Sequence, residues 1–457
     1  MRVHVRPGIP VGGGARVPGD KSIAHRWLIL AVTAQGSSRL VGVPPSLDVR
    51  STAGALAALS SSARPALEAW AANGSPGAEG QGSTWNPGSA VGDPSTLEVE
   101  GEGRGGLVEP RSSLDCGNSG TAMRLLAGVL AGAPFRSVLT GDASLIVRPM
   151  ERVAEPLRAM GARVTTTDGH PPVTVEGGAL HGIRYELPIP SAQVKSSILL
   201  AGLVATGTTT VLEPIATRDH TERAIRALGG PVRRRGSEVE VEAFQHGGFV
   251  GRVPGDPSSA AFLVAASALT GAALTLVDVG LNPTRLGFLA VLRRMGVVVN
   301  ERTTREELGE PVGELSVEPA GRLAGTTVGR AELPAVIDEV PALAAVAAHA
   351  RSRTRFEGAG ELRVKESDRL EGLVAGLSAL GGSAWAEGDD LVIGGGGLRG
   401  GTAGSDGAHR LAMALAVAAL AASGPSVVMG SDAADVSYPG FARDLASLGA
   451  DLEVRDG

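Results

Sequence analysis

The chain has 457 residues, 43% hydrophobic and 20% charged, with a formal net charge of -6. That length supports two or more domains with full cores, while an acidic balance and only 3% aromatic residues exclude a basic, ring-stacking nucleic-acid binder. The single cysteine, Cys116, excludes an internal disulfide. The absence of an apolar signal core in MRVHVRPG, with apolar runs such as Leu411 to Ala422 too short for a bilayer, predicts a soluble cytoplasmic protein.

In chain order, MRVHVRP predicts a strand and the following GGG a hinge. Arg16-Val17-Pro18-Gly19-Asp20-Lys21-Ser22 is then a turn leading into the apolar run Ile23 to Val32. Such a start leaves backbone N–H groups and the positive end of a helix dipole facing outward, a suitable seat for an anion. Lys21 and Arg26 add two full charges there. The pattern recurs at Arg252-Val253-Pro254-Gly255-Asp256, followed by Ser258 but no lysine, which predicts two related halves and a second crossover near Gly251–Pro254.

The stretch 61–111 is rich in Gly, Ser, Pro and Ala, with Trp70 and Trp85 its only large aromatics, and reads as a partly disordered surface insertion. Elsewhere, helix-like segments end in Leu-Gly or Met-Gly and pass into β-rich runs, at Gly161, Gly229, Gly296, Gly381 and Gly449. Glycine in that place predicts a left-handed helix C-cap. Further helices are predicted over Thr121–Ala131, Gln193–Ala205, Glu339–Ala350 and Leu411–Ala422. The repeat implies six mixed units, three per half, and so an α/β protein of two globular domains.

Only three of the 42 Lys and Arg residues are lysines: Lys21, Lys195 and Lys365. A coding bias toward arginine explains the rarity but not the placement, since each lies in a dense polar motif beside an apolar helix. An ammonium can change protonation state where a guanidinium does not, so all three read as functional positions.

Other polar clusters follow the same plan. DCGNSGTAMR offers Asn118, Ser119, Gly120, Thr121 and Arg124, and VRPM offers Arg148. SAQVKSS supplies Ser191 and Gln193, and TRDHTER supplies Arg218, His220 and Glu222. Asp338 and Glu339 precede an apolar run, RVKESDR holds Arg363, Glu366, Asp368 and Arg369, and His409-Arg410 opens a late helix. Taken singly, each is matched by ordinary capping or a solvated charge. Gathered in one cleft, they form a site for two multiply anionic ligands, with Lys21, Asp338, Glu366 and His409 as acid–base candidates. Metal-ligand spacing and nucleotide-loop motifs are absent, and no cofactor is indicated.

The motifs GDKSIAHR, GNSGTAMR, SAQVK, RDHTE, GDPSSAAF, IDE, RVKESDRL and HRLAM occur in the order found in 5-enolpyruvylshikimate-3-phosphate synthases, and over nearly the whole chain outside the insertion the sequence resembles that family. GDK, SAQxK, RxHxE and the pair Asn282 and Arg285 look like its second class. The resemblance implies an α/β (α+β) fold of two similar domains, each three βαβαββ units, with the site in the cleft. One domain would span 17–253, and the other would join 1–16 to 254–457.

The implied reaction transfers the carboxyvinyl group of phosphoenolpyruvate to the 5-hydroxyl of shikimate-3-phosphate, releasing phosphate, on the route to chorismate and aromatic amino acids. The resemblance implies a monomer without cofactor or metal. Carried over by motif, Lys21, Ser22, Arg26, Ser191, Gln193, Arg218, Asp338 and Lys365 are implied shikimate-3-phosphate ligands. Gly120, Arg148, Gln193, Arg369 and Arg410 are implied phosphoenolpyruvate ligands, with Lys21 touching both. Asp338 is the implied base for the 5-hydroxyl, and Glu366 or Lys21 would exchange the proton at the methylene carbon.

Two departures stand out. The family usually has Asp before His-Arg where this chain has Ala408, implying a looser Arg410. A lysine that some members carry near the C-terminus is missing from Asp435-Val436-Ser437-Tyr438-Pro439. A sister family acting on UDP-N-acetylglucosamine opens with Lys-Asn and uses a loop cysteine. Here Lys21-Ser22 opens the site and Cys116 directly precedes Gly117-Asn118. An inactive binding protein of the same shape has Ala408 as its only support.

Overall fold

In the computed structural model, residues 1–73, 96–319 and 321–456 are described. Among them are six small sheets, five of four strands and one of three. Strand Leu114–Asp115 runs parallel to Arg136–Thr140, which pairs antiparallel with His170–Glu176, itself paired antiparallel with Arg163–Thr167. Parallel neighbours need a crossover, and helix Gly120–Leu130 supplies it; helix Glu151–Ala159 then leads into the hairpin. The result is a βαβαββ unit. The same pairing order recurs in the other four-stranded sheets.

Buried apolar side chains form two clusters, one holding Ile23 to Val253 and the other joining Val3–Val17 to Ala260 and beyond. Each cluster underlies three of the sheets, so the fold is two domains of three units. Strand Arg2–Arg6 sits between Ser426–Met429 and Asp451–Arg455, which places the N-terminal strand in the second half. Helices Pro257–Thr270 and Val340–Ala348 are almost wholly apolar because both are packed inside that half on all sides.

The five glycines end their helices as expected, with φ of 111°, 88°, 96°, 80° and 107° at Gly161, Gly229, Gly296, Gly381 and Gly449. At the first, Gly161 N–H donates to Arg158 O at 2.9 Å and Ala162 N–H to Leu157 O at 3.1 Å, and the other four repeat the pair. A side chain at that φ would be strained, so the last helical turn closes on glycine.

The expected insertion over 61–111 is corrected in part. Helix Arg64–Asn73 buries Leu67 and Trp70, and strand Thr96–Glu102 pairs along its full length with Gln35–Val41 while burying Leu97 and Val99. The two-residue alternation in TLEVE was hidden by the Gly- and Ser-rich composition around it. The remainder of that expectation, including Trp85, falls on 74–95 and lies outside the described residues.

The two RVPGD copies lie side by side. Asp20 N–H donates to Pro254 O at 2.7 Å, Asp256 N–H donates to Pro18 O at 2.8 Å, and Gly19 bridges Gly255 antiparallel. A Cβ on Gly19 would stand 2.2 Å from Gly42 O and 3.1 Å from Val253 Cγ1, so only glycine fits in this turn. Each aspartate also caps its helix, Asp20 Oδ1 accepting from Ile23 N–H at 3.1 Å and Asp256 Oδ1 from Ser258 N–H at 2.8 Å. Among the described residues no helix is long and apolar enough to cross a membrane.

Candidate active site

A cavity of about 280 Å³ lies between the halves. Six helices start at it: Lys21–Thr33, Gly120–Leu130 and Ala192–Gly202 from one half, and Val340–Ala348, Arg369–Ala379 and His409–Ala419 from the other. Their apolar bodies anchor in the two cores, which leaves the polar first turns at the cleft. Asp20, Ser119, Ser191 and Asp368 cap four of them through side-chain oxygens. Ten Lys and Arg side chains line the cavity against five carboxylates, although the chain as a whole is at -6, so the cleft is built for anions.

Asp338 is ringed by cationic side chains. Arg218 Nη2 donates to its Oδ2 at 2.6 Å and Arg369 Nη1 to its Oδ1 at 3.3 Å. Burial alone would raise its pKa, but Arg218, Arg410, Lys365 and Arg369 together hold it well below the usual carboxylate range. Glu366 accepts from Arg369 Nη2, and from its Nε at 3.2 Å. Burial opposes its ionisation too, yet Arg369, His409 and Arg410 keep it well below the ordinary value.

His409 Nε2 accepts from Arg410 Nη1 at 2.7 Å, which leaves its proton on Nδ1, 3.3 Å from Glu366 Oε1. Burial holds the ring well below its usual pKa, so it is neutral here. Because the folded pKa of Glu366 is depressed, the stability it adds is complete above about its ordinary 4.5 and is lost as pH falls beneath that value. The stability gap between wild type and Glu366→Gln, followed by urea midpoint, should therefore be constant above pH 4.5 and close on further acidification. A gap unchanged by acid would rule out the electrostatic origin.

In the opposite wall, Lys21 Nζ donates to Asp48 Oδ2 at 2.6 Å. Burial pushes Asp48 up, but Lys21 and His25 bring it below the usual value. Gln193 is fixed at both ends, its Oε1 accepting from Arg124 Nη1 at 2.6 Å and its Nε2 donating to Thr121 Oγ1 at 2.8 Å. A Cβ on Gly120 would come within 2.7 Å of Arg124 Nη1 and 3.3 Å of Arg148 Nη1, so a bare backbone leaves those guanidiniums room. Arg152 faces Glu361 across the cleft at 4.0 Å. Asp48, Arg152 and Glu361 went unnoticed in the sequence; a carboxylate in a helix's first turn, as Asp48 is, reads as simple dipole pairing.

Lys21, Ser22, Gly120, Arg148, Ser191, Gln193, Arg218, Asp338, Lys365, Glu366, Arg369 and Arg410 all line this one cavity. Arg26 does not. It is buried one turn beneath Ser22, donating to Ser22 O at 2.7 Å, Thr221 Oγ1 at 2.8 Å and Ser196 Oγ at 2.8 Å. Lys195 corrects the expectation for the three lysines. It is 0% exposed, away from the cavity, with Nζ 2.9 Å from Glu213 and 2.7 Å from Glu222. His220 is likewise buried, its Nδ1 2.7 Å from Glu310 Oε1.

Ala408 occupies the N-cap of helix His409–Ala419 and offers it no side-chain bond. Arg410 finds other holds, donating from Nε to Asp338 O at 2.9 Å besides its bond to His409. Ala408→Asp should add a cap and stabilise the fold by about 0.5–2 kcal/mol. An unmoved urea midpoint would show that the first turn is already satisfied. Val436 also lines the cavity.

The family model described as EPSP synthase (3-phosphoshikimate 1-carboxyvinyltransferase) matches residues 5–78 and 91–445. The 3-phosphoshikimate 1-carboxyvinyltransferase of Acidithiobacillus ferrooxidans is 44% identical over 457 residues, covering 99% of each chain. That of Halorhodospira halophila is 46% identical over 458 residues, covering 99% of this chain and 97% of its own. The solved EPSP synthase from Acinetobacter baumannii superposes with a TM-score of 0.83 at 38% identity, covering 100% of both chains.

Proposed function

The chain belongs to the EPSP synthase family, and from that premise we propose which residues carry the reaction. The reaction transfers the carboxyvinyl group of phosphoenolpyruvate to the 5-hydroxyl of shikimate-3-phosphate and releases phosphate. The observation that supports the assignment is a single cation-rich cavity holding Lys21, Asp338 and Glu366 together.

In the addition step, Asp338 takes the 5-hydroxyl proton as that oxygen bonds to C2 of phosphoenolpyruvate. Lys21, an ammonium held by Asp48, protonates the methylene carbon, giving a tetrahedral adduct. In the elimination step, Glu366, ionised by its neighbours, removes a proton from the new methyl group as the C2–O bond to phosphate breaks. The double bond re-forms and phosphate departs to the guanidiniums. Arg148, Arg369 and Arg410, with the backbone at Gly120, are assigned to the phosphate and carboxylate of phosphoenolpyruvate, which arginine forks bind bidentately. Ser22, Ser191, Gln193, Arg218 and Lys365 are assigned to shikimate-3-phosphate. Arg26 supports that site from beneath Ser22.

We divide the chain at 17–253 and 1–16 plus 254–457; the two apolar clusters and the paired crossovers support this boundary except at Val17, which packs with the second cluster. We propose that it acts as a monomer in the cytoplasm. The sister reading loses its cysteine, because Cys116 is buried and away from the cavity.

The test is phosphate release from phosphoenolpyruvate with shikimate-3-phosphate or UDP-N-acetylglucosamine as acceptor. Release dependent on shikimate-3-phosphate is expected. Release only with the other acceptor, or with neither from folded protein, would overturn the assignment.

A further inference from the structure

Arg285 has no part in the assignments above, yet it is 1% exposed and its guanidinium meets both crossovers. Nη1 donates to Asp20 Oδ2 at 2.6 Å, and Nη2 donates to Asp256 Oδ1 at 2.8 Å and to Ser258 Oγ at 2.9 Å. Ser258 Oγ in turn donates to Glu339 Oε1. Asp20 is the residue before Lys21, and Glu339 is the residue after Asp338. One side chain is thus bonded, at one or two removes, to the starts of the two helices that bring Lys21 and Asp338 to the cleft.

The surroundings fit this placement. Asp20 and Asp256 are the equivalent caps of the two halves, and the paired crossovers bring their carboxylates together. Without a cation between them, two buried like charges would force the crossovers apart. Burial and the charge of Asp20 already push Asp256 above the usual carboxylate value.

The turn bearing Arg285 is tied to the opposite half through Asn282. Its Nδ2 donates to Asp219 Oδ1 at 2.8 Å and to Glu310 Oε2 at 2.9 Å, and Glu310 meets His220. The motifs containing His220 and Asn282–Arg285 are therefore one buried network across the junction. A guanidinium's fixed fork spans two carboxylates and a hydroxyl at once, whereas an ammonium supplies one point charge.

We propose that Arg285 is a positioning residue that locks the two crossovers together and so sets Lys21 opposite Asp338. The inference rests on the reading of Lys21 and Asp338 as the proton-transfer pair. Arg285→Lys keeps the charge but not the fork. It should lower kcat about 100-fold, the scale of a displacement near 1 Å, while KM for shikimate-3-phosphate stays within about threefold.

The decisive readout is a double-mutant cycle with Asp338→Asn. If Arg285 acts through that pair, the double variant is hardly slower than Asp338→Asn alone. Losses that multiply, or a folded Arg285→Lys within threefold of wild-type kcat, overturn the proposal. Should Arg285→Lys not fold, Asp256→Asn carries the same cycle, since it keeps the helix cap and the Arg285–Asp20 bond but removes one of the two charges that the fork grips; full kcat there also overturns it. A wild-type protein without shikimate-3-phosphate-dependent phosphate release would instead sink the functional reading itself.

Discussion

Asp338→Asn should lower kcat by about 10²–10⁴-fold, the usual yield of a positioned general base, with the fold intact. Asparagine matches aspartate in shape, so one of Arg218 and Arg369 keeps an acceptor while the other faces the amide NH2, and the proton acceptor for the 5-hydroxyl is gone. A low folded pKa argues at first sight against Asp338 as a base. In the free cleft it faces Arg218, Arg410, Lys365 and Arg369, of which Arg369 is shared with Glu366. Two bound substrates bring phosphates and a carboxylate that draw on those cations, and the basicity of Asp338 rises as they do.

This account gives a sign for the pH dependence. The acid limb of kcat/KM reports the free enzyme and should lie below the ordinary aspartate value of 3.8, while the limb of kcat reports the complex and should lie higher. Near-full turnover in Asp338→Asn, or a kcat limb at lower pH than that of kcat/KM, would remove Asp338 from the role.

What the sequence displayed was whatever depends on near neighbours. The Leu-Gly steps, the helix starts and the motif residues Lys21, Asp338 and Glu366 are all local patterns. They marked the unit repeat and many of the residues that the fold gathers around one cavity. Lys195 misled because its rarity and motif look like those of Lys21, while its partners Glu213 and Glu222 are 18 and 27 positions away and close on it only in the fold. Arg26 sits one turn beyond Ser22, but Thr221 and Ser196 draw its head inward rather than to the cleft. Arg285 reaches Asp20 across 265 positions, a contact with no local signature. The strand Thr96–Glu102 is a period-two pattern seven residues long inside a composition that reads as loop.

Lys21→Met tests the division of proton transfers that Asp338 leaves open. It should lower turnover by about 10³-fold or more, because the proposed substrate contact and the proposed acid are lost together. Lys21→Arg should restore substrate binding better than turnover, since a guanidinium keeps the charge but does not release its proton at working pH. Turnover alone does not say which step fails; solvent deuterium does. If Lys21 protonates the methylene carbon, single-turnover reactions of Lys21→Met in heavy water form neither adduct nor deuterated phosphoenolpyruvate. If Glu366 is the base of elimination, Glu366→Gln still forms the adduct and accumulates it. Deuterium entering at the wild-type rate in Lys21→Met, with adduct formation lost in Glu366→Gln, would exchange the two roles. The structure argues against that exchange, because Glu366 is bonded to Arg369 and faces the Nδ1 proton of His409, so it enters the cycle ionised and ready to accept rather than give.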